Sequence, residues 1–383
     1  MPLRGENRDR PTYERLRPLG GAGNSIVHVG HHAVFGIPCV QKTVDIPGRE
    51  DAVAFAEPRL LKEFDHPHIV KVLEAQYDPH RRDAITIVMP EYEGGSLRDR
   101  LDAGRASSVG ETISLLAQAA DALNHVHQIH RVVHRDVKPG NLLLDAAGRH
   151  LYLADFGTAA KMSVSGHVGP VRATAPYQPP EVAAHGWMNA SSDIYSLGLV
   201  GIELLRGRLL YDGVDAAAID ARVGTGKRAY PDTKLASAAY PVHVPPRLRI
   251  LLGRMVTASL PRRPQTAAEV VRALRGLRVV DWWRDDGASL DGQWTGRWPV
   301  RARPGSGVWL RVNSENVARG RHAGERRLRA AYAKAGAGDS APTAGWRTVG
   351  GGISPALVSA QDAAAVSAVF RTVEARVAQR WPQ

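Results

Sequence analysis

The sequence predicts an α+β fold in two lobes, a β-rich first section and a mostly helical second, followed by a small α+β domain. Three observations lead there. Short β-type runs surround a glycine cluster within residues 13–44, helical patterns dominate the stretch up to residue 277, and seven of the eight tryptophans lie after residue 280. Residues 51–64 read as a helix through Val53, Phe55, Leu60, Leu61 and Phe64, with Pro58 expected to kink it or mark its first turn. Residues 84–89 are an unbroken, mostly apolar run of strand length. Residues 111–130 carry Leu115, Leu116, Ala119, Leu123 and Val126 on one side of a long helix. Further helical stretches occupy 192–206 and 266–277.

Composition narrows the function classes. The chain has 383 residues, 44% of them apolar and 23% charged, which supports folded domains rather than disorder. No apolar run reaches about 20 residues, so no membrane partner is expected. Residues 1–10 are charged and carry no secretory signal. Cys39 is the single cysteine, which excludes an intrachain disulfide and fits a cytoplasmic protein. The net charge is +12, and residues 278–383 hold sixteen basic against nine acidic side chains. The expected divisions are an arm at 1–12, a large domain at 13–277, a linker at 278–292 and a small basic, tryptophan-rich α+β domain at 293–383, each domain with its own core.

The chemistry is written most clearly in His134-Arg135-Asp136-Val137-Lys138-Pro139-Gly140-Asn141. Phosphoryl transfer to a hydroxyl needs a carboxylate to orient the nucleophile and accept its proton, which suits Asp136. It also needs oxygen ligands for Mg²⁺, which suits Asn141 and Asp155; Asp155 opens Asp155-Phe156-Gly157 after a leucine-rich strand pair that turns at 145–148.

With these motifs the chain resembles the eukaryotic-like (Hanks-type) bacterial Ser/Thr protein kinases. The resemblance implies a two-lobed protein-kinase fold, β-rich N-lobe and helical C-lobe, that uses ATP and Mg²⁺ to phosphorylate a protein substrate on a Ser or Thr acceptor. It implies that Lys42, ending Cys39-Val40-Gln41-Lys42, binds the α- and β-phosphates and pairs with Glu57. Val88-Met89-Pro90-Glu91-Tyr92 matches the hinge between lobes, with Met89 behind the adenine, the Pro90 carbonyl accepting from it and the Tyr92 N–H donating to it. The glycine loop is Leu19-Gly20-Gly21-Ala22-Gly23-Asn24-Ser25-Ile26-Val27, in which Ala22 and Ser25 replace two glycines of the family pattern; small residues still let the backbone approach phosphate. Lys138 and Thr174 mark the Ser/Thr branch. Asp193, Glu181 and Arg263 match scaffold positions. Arg135 matches a cation that docks a phosphate on the activation segment, where Thr158, Ser163, Ser165 and Thr174 are the hydroxyls and Ser163 and Ser165 the expected autophosphorylation sites. The altered glycine loop leaves a pseudokinase scaffold as the alternative.

The remaining residues give less. His125 and His127 stand two apart on a helix and point to different sides, so these histidines are read as binding no metal. Residues 294–303 alternate with period two, and Pro299 favours a sheet edge. A second strand is expected at 307–312, and helices at 322–335 and 361–381. Arg297, Arg301 and Arg303 would share one side, with Arg319, Arg321, Arg326, Arg327 and Arg329 nearby. That face suits plain solvation, an acidic protein partner or nucleic acid.

Overall fold

The computed structural model describes residues 12–20, 25–46, 51–81, 83–170, 174–211, 213–230, 240–284, 292–299, 307–319, 321–323, 325–334, 341–342, 344–349, 356–359 and 362–381. The expected arm up to residue 11, Gly21, Ala22, Gly23, Asn24, Arg301 and Arg303 lie outside the described residues.

The N-lobe is an antiparallel sheet of β1 (Tyr13–Gly20), β2 (Ser25–His32), β3 (Pro38–Asp45), β4 (Glu74–Tyr77) and β5 (Ala84–Pro90), in the order β1-β2-β3-β5-β4. Helix α1 (Asp51–Glu63) crosses it and closes a small core of Ala54, Ile85 and Ile87. Pro58 lies inside α1 rather than in its first turn, and the missing N–H costs one i→i−4 bond there.

The C-lobe begins with α2 (Leu97–Asp102) and α3 (Val109–Gln128). Each starts on a serine, Ser96 or Ser108, whose hydroxyl accepts a backbone N–H of the first turn. Two short strand pairs follow: β6 (Val132–Val133) with β9 (Ala160–Lys161), and β7 (Leu142–Leu144) with β8 (Leu151–Leu153). Next come α4 (Glu181–His185), α5 (Ala190–Arg206), α6 (Ala216–Gly224), α7 (Pro246–Met255) and α8 (Ala267–Arg275). Every residue from Ser191 to Leu205 is buried, so α5 is the central helix of this lobe. Gly201 is what lets α3 and α7 close on it: an added Cβ would stand 2.7 Å from Leu252 Cδ2 and 2.8 Å from Leu116 Cδ1. Gly201→Ala is expected to destabilise the protein by about 1–3 kcal/mol through overpacking, read as a lower midpoint in urea unfolding.

The C-terminal region is a six-stranded antiparallel sheet backed by one helix. Its strands are β10 (Asp281–Arg284), β11 (Gly292–Pro299), β12 (Gly307–Asn316), β13 (Glu325–Lys334), β14 (Arg347–Thr348) and β15 (Ala356–Ser359), and the helix is α9 (Ala363–Arg380). Val366, Val369, Phe370, Val373 and Val377 are the buried stripe of α9, as their spacing predicts. Three expectations fail here. The helix expected at 322–335 is strand β13: its arginines, leucine and alanines favour a helix locally, but pairing along the length of β12 and alternating burial override propensity. The expected linker contains β10, whose Trp282 is fully buried. The expected separate core is instead continuous with that of the C-lobe, Val271 and Leu274 running into Val280, Trp282, Trp294 and Phe370. Pro299 is compatible with the inner strand β11 because β10 pairs only as far as Arg297.

Two carboxylates clamp this junction. Asp281 Oδ1 accepts the Gly110 N–H at the start of α3 at 2.6 Å. Glu374 Oε1 accepts Val280 N–H at 3.3 Å and Trp282 Nε1–H at 3.1 Å, and burial pushes this carboxyl up to about 7.

Four of the eight arginines expected on the basic face contact other residues of the sheet. Arg326 is buried and donates to Ser314 Oγ at 3.2 Å, Arg297 lies over the Trp309 ring, and Arg327 and Arg329 approach Glu315 at 3.7 and 3.6 Å.

Candidate active site

The side chains singled out in the sequence converge between the lobes. Lys42 points from β3 towards α1, and its Nζ donates to both Glu57 oxygens at 2.9 and 2.8 Å and to Asp155 Oδ1 at 2.6 Å. One ammonium thus serves two carboxylates. Burial alone would lower the Lys42 ammonium, but Glu57 and Asp155 outweigh it and hold the group above its ordinary value. Burial likewise opposes the Asp155 charge, yet Lys42 keeps that carboxyl below its usual range. Burial, with the nearby Asp155 charge, raises Glu57, so of the two carboxyls it is the one that resists ionisation. Asp155 adopts a left-handed backbone, φ 63° and ψ 73°, as the chain leaves β8.

Asp136 is the second centre. Oδ2 accepts from Lys138 Nζ at 2.6 Å and from Asn141 Nδ2 at 3.1 Å, while Oδ1 accepts the Thr174 hydroxyl at 3.0 Å. Lys138 also donates to Thr174 Oγ1 at 3.0 Å, so the activation segment is tied to the 134–141 loop. The Asn141 amide donates to the Asp136 carbonyl at 2.8 Å. Its nitrogen is thereby fixed as the donor, which turns its oxygen to the other side.

Buried polar groups hold this loop. Asp193, from α5, accepts the backbone N–H groups of His134 and Arg135 at 2.9 Å each and His127 Nε2–H at 2.7 Å. Burial alone would raise Asp193, but the His127 and His134 bonds keep its carboxyl low. The His134 ring donates from Nε2 to the Ala154 carbonyl at 3.0 Å and accepts the Asp136 N–H on Nδ1, which fixes its neutral tautomer. Arg263 grips Glu181 at 2.6 and 3.0 Å, both side chains essentially without exposure.

Arg135 spends donors on the Thr158 and Gly169 carbonyls. Ser163 and Ser165 occupy an exposed turn, hydroxyl to hydroxyl at 2.8 Å, with the Ser163 carbonyl held by Arg131 Nη2. At the hinge, Met89 pairs with Val40 and Pro90 with Cys39, and Tyr92 packs on Tyr152. Of the glycine loop, Leu19, Gly20, Ser25 and Val27 are described, and Val27 pairs with both Gly20 and Lys42.

Residues 13–273 match the family model of the protein kinase domain. The chain belongs to the protein kinase family. This kinase domain is 32% identical over 214 residues to the serine/threonine-protein kinase PrkC of Bacillus subtilis, covering 54% of this chain and 32% of that protein. It is 34% identical over 213 residues to the serine/threonine-protein kinase pkn2 of Myxococcus xanthus, covering 52% of this chain and 25% of the relative. The matches therefore span a third or less of these two relatives, and no helix among the described residues is long and apolar enough to cross a membrane.

Two supports of the kinase site escaped sequence reasoning. His127 sits on the apolar side of α3, one turn beyond Leu123, and a histidine there signals a buried partner. Tyr177 donates to Glu203 at 2.9 Å in the core, where burial and the adjacent carboxylate hold the phenol protonated.

Proposed function

We propose that this chain is an active Ser/Thr protein kinase that moves the γ-phosphoryl of ATP to protein hydroxyls. The observation that carries the reading is Asp136 with one carboxylate edge held by Lys138 and the other at a hydroxyl, that of Thr174. A substrate Ser or Thr hydroxyl arriving there meets the same carboxylate, which orients it and takes its proton, while Lys138 balances the charge. Leu19, Gly20, Val27, Met89, Pro90 and Tyr92 surround the nucleotide, and Lys42, set by Glu57, meets its phosphates. The Asp155 carboxylate and Asn141 amide oxygen are hard donors that suit Mg²⁺, and the surplus of carboxylates over lysines at Lys42 suits an added cation. Bound Mg²⁺ would neutralise phosphate charge during transfer.

Lys42 with Glu57 and Asp155, and Asp136 with Lys138 and Asn141, form two connected clusters, which supports a working kinase over a pseudokinase scaffold. The C-terminal sheet meets α3 at Gly110, about 25 Å along the helix from His127. It therefore buttresses the C-lobe, and an acidic protein remains the partner its exposed basic residues suit.

Incubation of the pure protein with labelled ATP and Mg²⁺ should place label on the chain itself, at Ser163 or Ser165, and a chelator should abolish it. Mass-spectrometric mapping checks the sites. Label confined to residues outside 158–174 would remove the autophosphorylation proposal, and no label on the chain or on generic acceptor proteins would remove the kinase reading.

A further inference from the structure

A chain of aromatic rings runs from the back of the interlobe joint to the kinase site. His66 and His125 stand with ring centroids 5.1 Å apart, and His125 and His130 likewise. His68 extends the chain at 5.7 Å from His66, and His150 lies beyond it. Phe64, just past α1, packs edge-on against His130 at 4.7 Å and lies 5.0 Å from Phe156. Phe156 is buried against His134 and directly follows Asp155. Histidines from the loop after α1 and from the end of α3 thus meet around one phenylalanine that touches the Asp155-Phe156-Gly157 turn.

The surroundings of His66 and His125 favour neutral rings. His66 Nδ1 accepts the His68 backbone N–H at 3.2 Å, which a protonated ring could not do. His125 Nε2 is shielded from solvent and has no hydrogen-bond partner, so a proton placed there would have no acceptor. We propose that His66 and His125 form a proton-responsive joint: neutral, they pack with His130 and hold Phe64 against Phe156; protonated, they part and release it, which slows phosphoryl transfer. The inference rests on the kinase reading, and Phe64 acts in it as a positioning residue.

Charges facing the joint come from each element around it. Glu63 at the end of α1 lies 3.9 Å from His130. Asp65 and Asp121 favour protonation of His66 and His125, although Asp121 also engages Arg275 at 3.2 Å. Burial and neighbouring imidazoles outweigh these carboxylates and hold both rings below the ordinary imidazole value. The sign follows: the unfolded or opened chain binds more protons, so the closed joint is fully stable above the ordinary imidazole range near 6.5 and weakens as pH falls through the lowered values.

Initial transfer rates at saturating ATP should be compared from pH 8.0 to 5.5 for the wild type, His125→Phe and His66→Gln. All three should agree within about twofold at pH 8.0, where the joint is neutral. Towards pH 5.5 the wild type should lose about tenfold more rate than either variant. Parallel acid limbs overturn the joint, whereas a wild type inactive at pH 8.0 overturns the kinase reading instead. Nuclear magnetic resonance titration of the wild type gives a readout independent of catalysis and of variant folding. Phe64 and Phe156 ring signals should shift in step with His66 and His125; histidines that titrate while the Phe156 signals stay fixed would refute the coupling.

Discussion

Asp136→Asn should lower kcat by about 10²–10⁴-fold and leave the KM for ATP nearly unchanged. The carboxylate accepts from Lys138, Asn141 and the Thr174 hydroxyl. An amide has nearly the same shape, so the loop, braced independently by Asp193, should keep its conformation. What disappears is the proton acceptor, and the amide N–H₂ would face donors on at least one side. On the proposed function the loss therefore falls on the transfer step rather than on nucleotide binding, which that proposal assigns to Lys42 and the hinge. Single-turnover transfer with preloaded ATP separates the two. A variant within threefold of the wild type would mean that Asp136 positions the hydroxyl without taking its proton. Thr174→Ala removes one hydroxyl donor but leaves the carboxylate with Lys138 and Asn141, and should cost much less.

The kinase site was far more legible than the region behind it, and the reason is physical. Asp136, Lys138 and Asn141 occupy one short loop, so their spacing in sequence is nearly their spacing in space. Lys42 and Glu57 sit on a strand and the next helix, and their pairing was legible only through the family resemblance. Asp193 as a brace was legible through its motif, but its partner His127 is 66 residues away, and its place on the apolar side of α3 signals a buried partner without saying which. The strand at 325–334 was illegible for the opposite reason. Its alanines and arginines are good helix formers, and only long-range pairing with residues 308–316 decides against a helix. The buried Trp282 was hidden because residues 278–292 read as linker when the core they complete belongs to another lobe.

That shared core changes what the C-terminal sheet can do for the kinase. Phe370 packs edge-on against Trp282 and Trp294 at 5.1 and 5.3 Å, and its neighbours reach Val271 and Leu274 of α8. Arg249 of α7 donates to Ser367 of α9 at 3.1 Å. Sheet and lobe are thus cemented by apolar burial and by the Asp281 and Glu374 clamps, the arrangement of a fixed buttress rather than of a tethered module that swings over the cleft.

Arg263→Ala should cost the fold about 3–5 kcal/mol, the largest stability loss expected from a single substitution in the C-lobe. Arg263 and Glu181 have 0% and 1% side-chain exposure, so each was fully desolvated on folding. Two guanidinium nitrogens reach two carboxylate oxygens, and the remaining donors go to the Ser191 and Thr257 carbonyls. The guanidinium also lies 5.0 Å over the Tyr195 ring. Removing it leaves the Glu181 carboxylate buried with the Ser192 hydroxyl as its remaining side-chain donor, and leaves two backbone carbonyls without their partner. Most of the penalty is thus the stranded charge and not the lost attraction. The double variant Glu181→Leu/Arg263→Leu should accordingly recover stability relative to Arg263→Ala, because it strands no ion. Urea unfolding of the three proteins checks this: a double variant less stable than Arg263→Ala would show that the pair is worth more than its desolvation. Because Glu181 opens α4 directly after the activation segment, the single variant should also lose transfer activity at temperatures where it is still folded, through a loosened Thr174.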